Sequence, residues 1–146
     1  MAAIEFVVPG IPIGKGRPKV ASRRGKFAHL YTPQKTVSYE KLVAQCGQVA
    51  MVGRPLMLGA LYVRLTIALP IPESWSNKKR AAALAGAIYA MVKPDIDNVE
   101  KSIFDGLNGV VWRDDVQVVD VSKQKFYSDN PGVEIFIRPL EDANSA

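Results

Sequence analysis

The sequence is poor in the residues that build thiol, imidazole and zinc chemistry. It has one cysteine, Cys46, and one histidine, His29. A lone cysteine forbids an internal disulfide, which suits a reducing, cytoplasmic compartment. Its plainest role is that of a small apolar core residue on a helix. Zinc sites draw on several sulfur and imidazole ligands, so zinc is not expected. No stretch approaches the roughly 18 to 20 consecutive apolar residues of a membrane helix, so no membrane association is expected. Basic residues are missing ahead of the apolar run between Met1 and Pro9, which therefore does not read as a secretory signal. Acidic residues are absent between Phe6 and Tyr39, a stretch that holds seven Lys/Arg. Internal repeats and low-complexity tracts are lacking as well.

What is present is ordinary in bulk and uneven in detail. The 146 residues are 48% hydrophobic and 23% charged, enough for one domain with its own core. The net charge of +5 divides unequally. Residues 1–54 carry nine Lys/Arg and two acids, a balance of +7, and residues 55–146 carry ten Lys/Arg and twelve acids, a balance of −2. A basic front suits a polyanion. A locally acidic back suits a bound cation.

Along the chain, Ile4 to Val8 reads as a first strand. Residues 9–32 contain Pro9, Gly10, Pro12, Gly14, Gly16, Pro18 and Gly25, and read as a long basic loop or a hairpin arm. Thr32-Pro33 reads as a helix start with Thr32 as N-cap and Pro33 as first helical residue. The helix is expected to run to about Met51, with Val37, Leu42, Val43, Cys46, Val49 and Ala50 as its apolar stripe. Leu58 to Leu69 alternates as a strand that Pro70 and Pro72 end. Ser76 caps a short helix from Asn77 to about Ala85. A second long helix is expected from about Ile96 to Asn108, stopped by Asn108-Gly109. Val116 to Phe126 and Val133 to Arg138 read as strands joined by a turn, and residues 141–146 as a frayed end. This order predicts a single small α+β domain, a two-layer α/β arrangement with helices on one face of a mixed β-sheet.

The chemistry concentrates in residues 93–120. Asp95 falls at or next to the N-cap of the expected helix and Asp97 in its first turn. At ~100° per residue, Ile96, Val99, Ile103 and Leu107 share an inward stripe, and Asp97, Lys101, Asp105 and Asn108 share the opposite face. Helix capping by Asp95 and an ion pair between Asp97 and Lys101 would be the bland account. Asp114 and Asp115, after the turn, would on that account be turn residues. Yet seven acids lie between Asp95 and Asp120 against two bases, Lys101 and Arg113. Clustered carboxylates repel, and a hard cation is the usual compensation. Magnesium binds through few carboxylates, waters and substrate phosphates, and serves phosphodiester hydrolysis by activating water. Lys101 would add fixed positive charge at the phosphate.

Pro94-Asp95-Ile96-Asp97-Asn98-Val99-Glu100-Lys101, then Phe104-Asp105-Gly106-Leu107-Asn108-Gly109, then Trp112-Arg113-Asp114-Asp115-Val116-Gln117, resembles the signature of the RusA-type Holliday junction resolvases. The front half is similar too, in Lys15-Gly16-Arg17-Pro18 and in Tyr31-Thr32-Pro33 before a helix. Where many relatives carry polar residues ahead of the Pro-Asp, this chain has Ile88-Tyr89-Ala90-Met91-Val92. The resemblance implies a homodimer that binds four-way DNA junctions and nicks two strands symmetrically, with magnesium as cofactor and manganese as a substitute. It implies Asp95, Asp97 and Asp115 as metal-binding and catalytic acids, Asp114 as a further candidate, and Lys101 as the catalytic lysine. Asp105 and Asp120 stand as weaker candidates. In the basic loop, Lys15, Arg17, Lys19, Arg23, Arg24 and Lys26 are expected to contact DNA phosphates, with Phe27, His29 or Tyr31 available for stacking. The rival readings are a non-catalytic branched-DNA-binding module and a metal-dependent flap or single-strand nuclease.

Overall fold

The computed structural model describes residues 2–16 and 33–141 in full, and residues 19–23 and 27–31 as backbone. The expected DNA contacts Arg17, Arg24 and Lys26, the expected cap Thr32 and the expected frayed residues 142–146 lie outside the described residues. The elements in chain order are β1 (Ile4–Pro9), β2 (Lys19–Arg23), β3 (Phe27–Tyr31), α1 (Gln34–Ala50), β4 (Leu61–Pro70), α2 (Asn77–Leu84), α3 (Ile96–Leu107), β5 (Val118–Ser128) and β6 (Gly132–Pro139). One four-stranded sheet runs in the order β1-β6-β4-β5, and β2 and β3 form a separate hairpin. The β1–β6 and β6–β4 pairs are antiparallel and β4–β5 is parallel, so the sheet is mixed. This is the expected α+β domain.

Alternation sets the two sides of the sheet. Leu61, Val63, Leu65 and Ile67 of β4 and Val133, Ile135 and Ile137 of β6 are all fully buried. Each such side chain contributes roughly 1.5–3 kcal/mol of transfer free energy. They meet Val43 of α1 and Val99, Ile103 and Leu107 of α3 in one core. The opposite face is left bare by the described residues, with Arg64 stacked over Phe136 at 4.7 Å and Arg138 over Tyr62 at 4.9 Å.

Four readings needed correction, the first being the strand expected from Leu58, which begins at Leu61. Pro33 occupies the cap position of α1, with φ −54° and ψ 143°, and the helix begins at Gln34. An extended ψ keeps Pro33 out of the first turn, where it lies against Gly16. The buried stripe of α1 is Thr36, Tyr39, Val43 and Gly47, while Val49 is 73% exposed. Gly47 takes the inner face where α3 comes close, and Thr36 where the loop does: a Cβ on Gly47 would meet Leu107 at 2.8 Å, one on Gly106 would meet Val43 at 2.8 Å, and the Gly16 amide donates to the Thr36 hydroxyl. The strand expected from Val116 begins at Val118 instead, after a single 3-10 turn over Asp115–Gln117.

The loop between β1 and the hairpin is fastened to both long helices. The Ser102 hydroxyl donates to the Ile13 carbonyl at 2.7 Å, and the Lys15 amide donates to the Asn98 carbonyl at 2.8 Å. The Gly16 amide donates to the Thr36 hydroxyl at 3.0 Å. Thr36 and Ser102 are the buried polar residues among the described ones, and each bonds this loop. Gly14 passes so near α3 that a Cβ would stand 3.0 Å from both Asn98 Cβ and Pro94 Cβ.

Candidate active site

The helix α3 presents the first acids. Asp95 stands at its N-cap in extended conformation, φ −65° and ψ 148°, and its side chain makes no capping bond. Its carbonyl accepts from the Val99 amide at 3.1 Å, so the backbone starts the helix and the carboxylate is left over. Asp97 follows in the first turn and is exposed. Among the described residues neither Asp95 nor Asp97 has an ion-pair partner. Both lie where the helix dipole favours negative charge. The segment entering the helix is held from β5: the Lys125 ammonium donates to the Val92 carbonyl at 2.6 Å and to the Pro94 carbonyl at 3.1 Å. Lys123 of β5 reaches Glu100 of α3 at 3.3 Å.

Lys101 turns away from Asp97. Its ammonium lies 2.8 Å from Asp105 Oδ1, one turn further along the helix. The hydrogen bond to Asp105 raises its pKa above the ordinary lysine value against the effect of partial burial, and the charges of Asp105 and Asp115 add to the rise. Asp115 is therefore part of the field that Lys101 feels. Asp105 also receives Lys15 at 3.1 Å on Oδ2, and Lys15 in turn binds Glu40 of α1 at 2.6 Å. Burial alone would push the Asp105 carboxyl up, but the hydrogen bonds and charges of Lys101 and Lys15 hold it below the usual carboxylate range. Lys15 loses some of its basicity to burial and regains more from Glu40 and Asp105, so its pKa is also raised.

A second loop presents Asp115. Asp114 caps the 3-10 turn, its carboxylate accepting from the Val116 amide at 3.0 Å. Gln117 closes a capping box by accepting from the Asp114 amide at 3.3 Å and the Arg113 amide at 2.9 Å. The other end of Gln117 donates to the Met57 and Gly59 carbonyls, both at 3.0 Å, and fixes the turn to the chain before β4. Buried Trp112 donates to Asn108 Oδ1 at 2.6 Å and packs edge-on to Phe104 at 5.4 Å. The Asn108 amide nitrogen is 3.5 Å from Asp115 Oδ2, a contact at the outer limit of hydrogen bonding.

The structure thus links Lys101, Asp105, Asn108 and Asp115 along one face, with Asp97 one turn before Lys101 and Asp95 at the helix start. It does not close the acids into a cage: among the described residues no three His, Cys, Asp or Glu side chains form a ready-made metal site. Asp95, Asp97 and Asp115 offer oxygen alone, the donor type magnesium takes, and an open carboxylate set matches an ion that keeps waters and binds substrate phosphate. Asp120 is in register with Tyr62, on the bare side of the sheet, away from this face. Lys19 and Arg23 lie on strand β2, and His29, Phe27 and Tyr31 on β3. Sequence reasoning missed Asn108, Gln117 and Lys125 as supports. Gln117 was visible within the Trp-x-Asp-Asp-x-Gln run, whereas Lys125 had no signal beyond its place on a strand.

A carboxylate-bearing helix face with one ammonium thus sits on an α+β frame that also carries a hairpin from a basic stretch. The chain belongs to the Endodeoxyribonuclease RusA family, whose model matches residues 9–138. It is accordingly an endodeoxyribonuclease by family, a hydrolase of DNA phosphodiesters. It is also similar to the uncharacterized protein YqaN of Bacillus subtilis (strain 168), at 39% identity over 144 residues, which covers 96% of this chain and 99% of that protein. No helix among the described residues is long and apolar enough to cross a membrane.

Proposed function

We propose that the protein is a magnesium-dependent, structure-specific endonuclease that resolves four-way DNA junctions in the cytoplasm by paired symmetric nicks from a homodimer. The observation that carries this reading is the division of labour among the acids. Asp105 and Asp114 are engaged in ion pairs and a cap, while among the described residues Asp95 and Asp97, on an exposed helix start, have no ion-pair partner. A magnesium ion held by Asp95, Asp97 and Asp115 would supply an activated water and offset charge on the phosphate. Lys101 would face the scissile phosphate with fixed positive charge. The open carboxylates would repel the DNA backbone until a cation offsets them, and the basic stretch from Arg17 to Lys26 would draw DNA in without regard to sequence.

The test incubates the purified protein with four-way junction, flap, linear duplex and single-stranded DNA, with magnesium, with manganese and with chelator. Paired nicks in opposite strands of the junction, dependent on the divalent ion, are the expected result. Preferential cutting of flaps or single strands would replace junction resolution with the flap-nuclease reading. Junction binding without cutting under every metal condition would make the protein a branched-DNA-binding module.

A further inference from the structure

Lys15 begins the basic stretch, yet its ammonium is taken up by carboxylates on two helices. We infer that Asp105 is a positioning residue for Lys101, and that through Lys15 it also ties the root of the basic hairpin to the active face. The inference rests on Lys101 serving the hydrolysis proposed above.

The two oxygens of Asp105 have separate partners, Lys101 at 2.8 Å on Oδ1 and Lys15 at 3.1 Å on Oδ2. Lys15 continues to Glu40 at 2.6 Å, so a chain of alternating charge runs from α1 through the loop to α3. The side chains of Glu40, Lys15 and Asp105 are 22%, 23% and 19% exposed, against 56% for Lys101. The inner three are shielded, and the outer ammonium is held with its head toward solvent. Shielding strengthens such pairs relative to exposed ones. Lys15 is also fixed by its backbone, which donates to the Asn98 carbonyl of α3.

Lys101 has a carboxylate on either side along the helix, Asp97 four residues before and Asp105 four residues after. Only the second takes its ammonium. The shielded and already oriented Asp105 outcompetes the exposed Asp97. Two results follow at once: Lys101 is held at a defined place, and Asp97 is left without an ion pair to it. Orienting a long flexible side chain in advance removes that ordering from the reaction step.

The experiment compares the full chain with Asp105→Asn, Asp105→Glu, Lys15→Met and Lys15→Arg. It measures single-turnover cutting of four-way junction DNA in magnesium, and junction affinity against salt in a non-catalytic divalent ion. Asp105→Asn is expected to slow cutting by up to about 100-fold, the scale of loss from misplacing a reacting group by an ångström, with affinity retained. Asp105→Glu should recover part of the rate. Lys15→Met should slow cutting without changing the salt slope, and Lys15→Arg should restore it. An undiminished rate in Asp105→Asn overturns the inference. So does a salt slope lowered by about one unit in Lys15→Met, which marks a direct phosphate contact. Carbon-13 signals of the lysine side chains, read on the free protein, give an answer independent of cutting: Lys101 should shift in Asp105→Asn, and an unmoved signal overturns the inference. Failure of the wild type to cut any DNA would instead sink the activity, with the lysine signals still deciding the contact.

Discussion

Asp97 and Asp114 carry the same functional group in different surroundings. Asp114 accepts from the Val116 amide and closes a turn, while Asp97 has no ion-pair partner among the described residues. Replacing Asp97 with Asn is expected to lower junction cutting by more than the ~10–100-fold that loss of an outer-sphere support costs, with binding equal or tighter because a negative charge facing phosphate is gone. Asp114→Asn, which keeps a capping oxygen, should cut nearly as the wild type does. Single-turnover rates on labelled junction DNA separate the two, and near-normal cutting by Asp97→Asn removes it from the site. Asp105 gives a pH signature. Its folded carboxyl titrates below the ordinary value of 3.8, so its stabilisation is fully present above that value and is lost as pH falls through the lower folded pKa. Lys15 and Lys101 titrate above 10.5, so theirs is present below that value and fades as pH rises past it. Denaturant melts of Asp105→Asn should therefore lose part of the acid limb below about pH 4 that the wild type shows. At this scale the order of acids along α3 was legible from helical periodicity. The partner of Lys101 was not, because Asp97 and Asp105 are equally spaced from it. What decides between them is Lys15, about ninety positions away in sequence.

The long helices meet through absence of side chain. A Cβ built on Gly106 would stand 2.8 Å from Val43 and 2.9 Å from the Glu40 carbonyl, and one on Gly47 2.8 Å from Leu107. Gly106→Ala would overpack this contact and is expected to cost about 1–3 kcal/mol, despite the better helix propensity of Ala. Calorimetry should show Tm falling by a few degrees for each kcal/mol lost. An unchanged or higher Tm would mean that α1 moves away freely. The same contact explains which element was misread. The apolar pattern of α3 was strong, with Val99, Ile103 and Leu107 all buried as expected. That of α1 pointed to Val49, which is exposed, because the inner face joins Tyr39 and Val43 to Thr36 and Gly47, which hydropathy scores as neutral. The short capped helix α2 was legible to within a residue, since Ser76 accepts from the Lys79 amide at 3.2 Å as a cap should. The strand start at Val118 was hidden by side-chain chemistry, the Asp114–Gln117 capping box, that turns two strand-like residues into a helical turn.

At the scale of the whole molecule, one site cuts one strand, and resolving a junction takes two cuts related by symmetry. A two-fold dimer repeats every feature once and would supply them. Mixed dimers of wild-type and Asp97→Asn subunits are then expected to nick a supercoiled cruciform plasmid, and wild-type dimers to linearise it. Linear product from a protein that sediments as a monomer on junction DNA would leave a single-site nickase. The class of fold was legible because strands and helices alternate in the sequence with distinct periods. The neighbours within the sheet were not, since alternation fixes which face a residue takes and says nothing of which strand lies beside it. That β6 sits between β1 and β4 comes from matching of inner side chains far apart in the chain. This order has a mechanical consequence. Ile4 at the start of β1 lies opposite Ile137 near the end of β6, in an antiparallel pair. Tension applied between the two ends of the chain therefore loads one rung of that ladder at a time, like a zip, and not all rungs together. Stretched in a force spectrometer, the protein should release β1 at low force in an early, separate step. A single high-force rupture of the whole sheet would show that the load is shared. Once β1 is free, the pull passes along the loop to Ile13 and Lys15, whose bonds to Ser102, Asn98 and Asp105 load the site helix next.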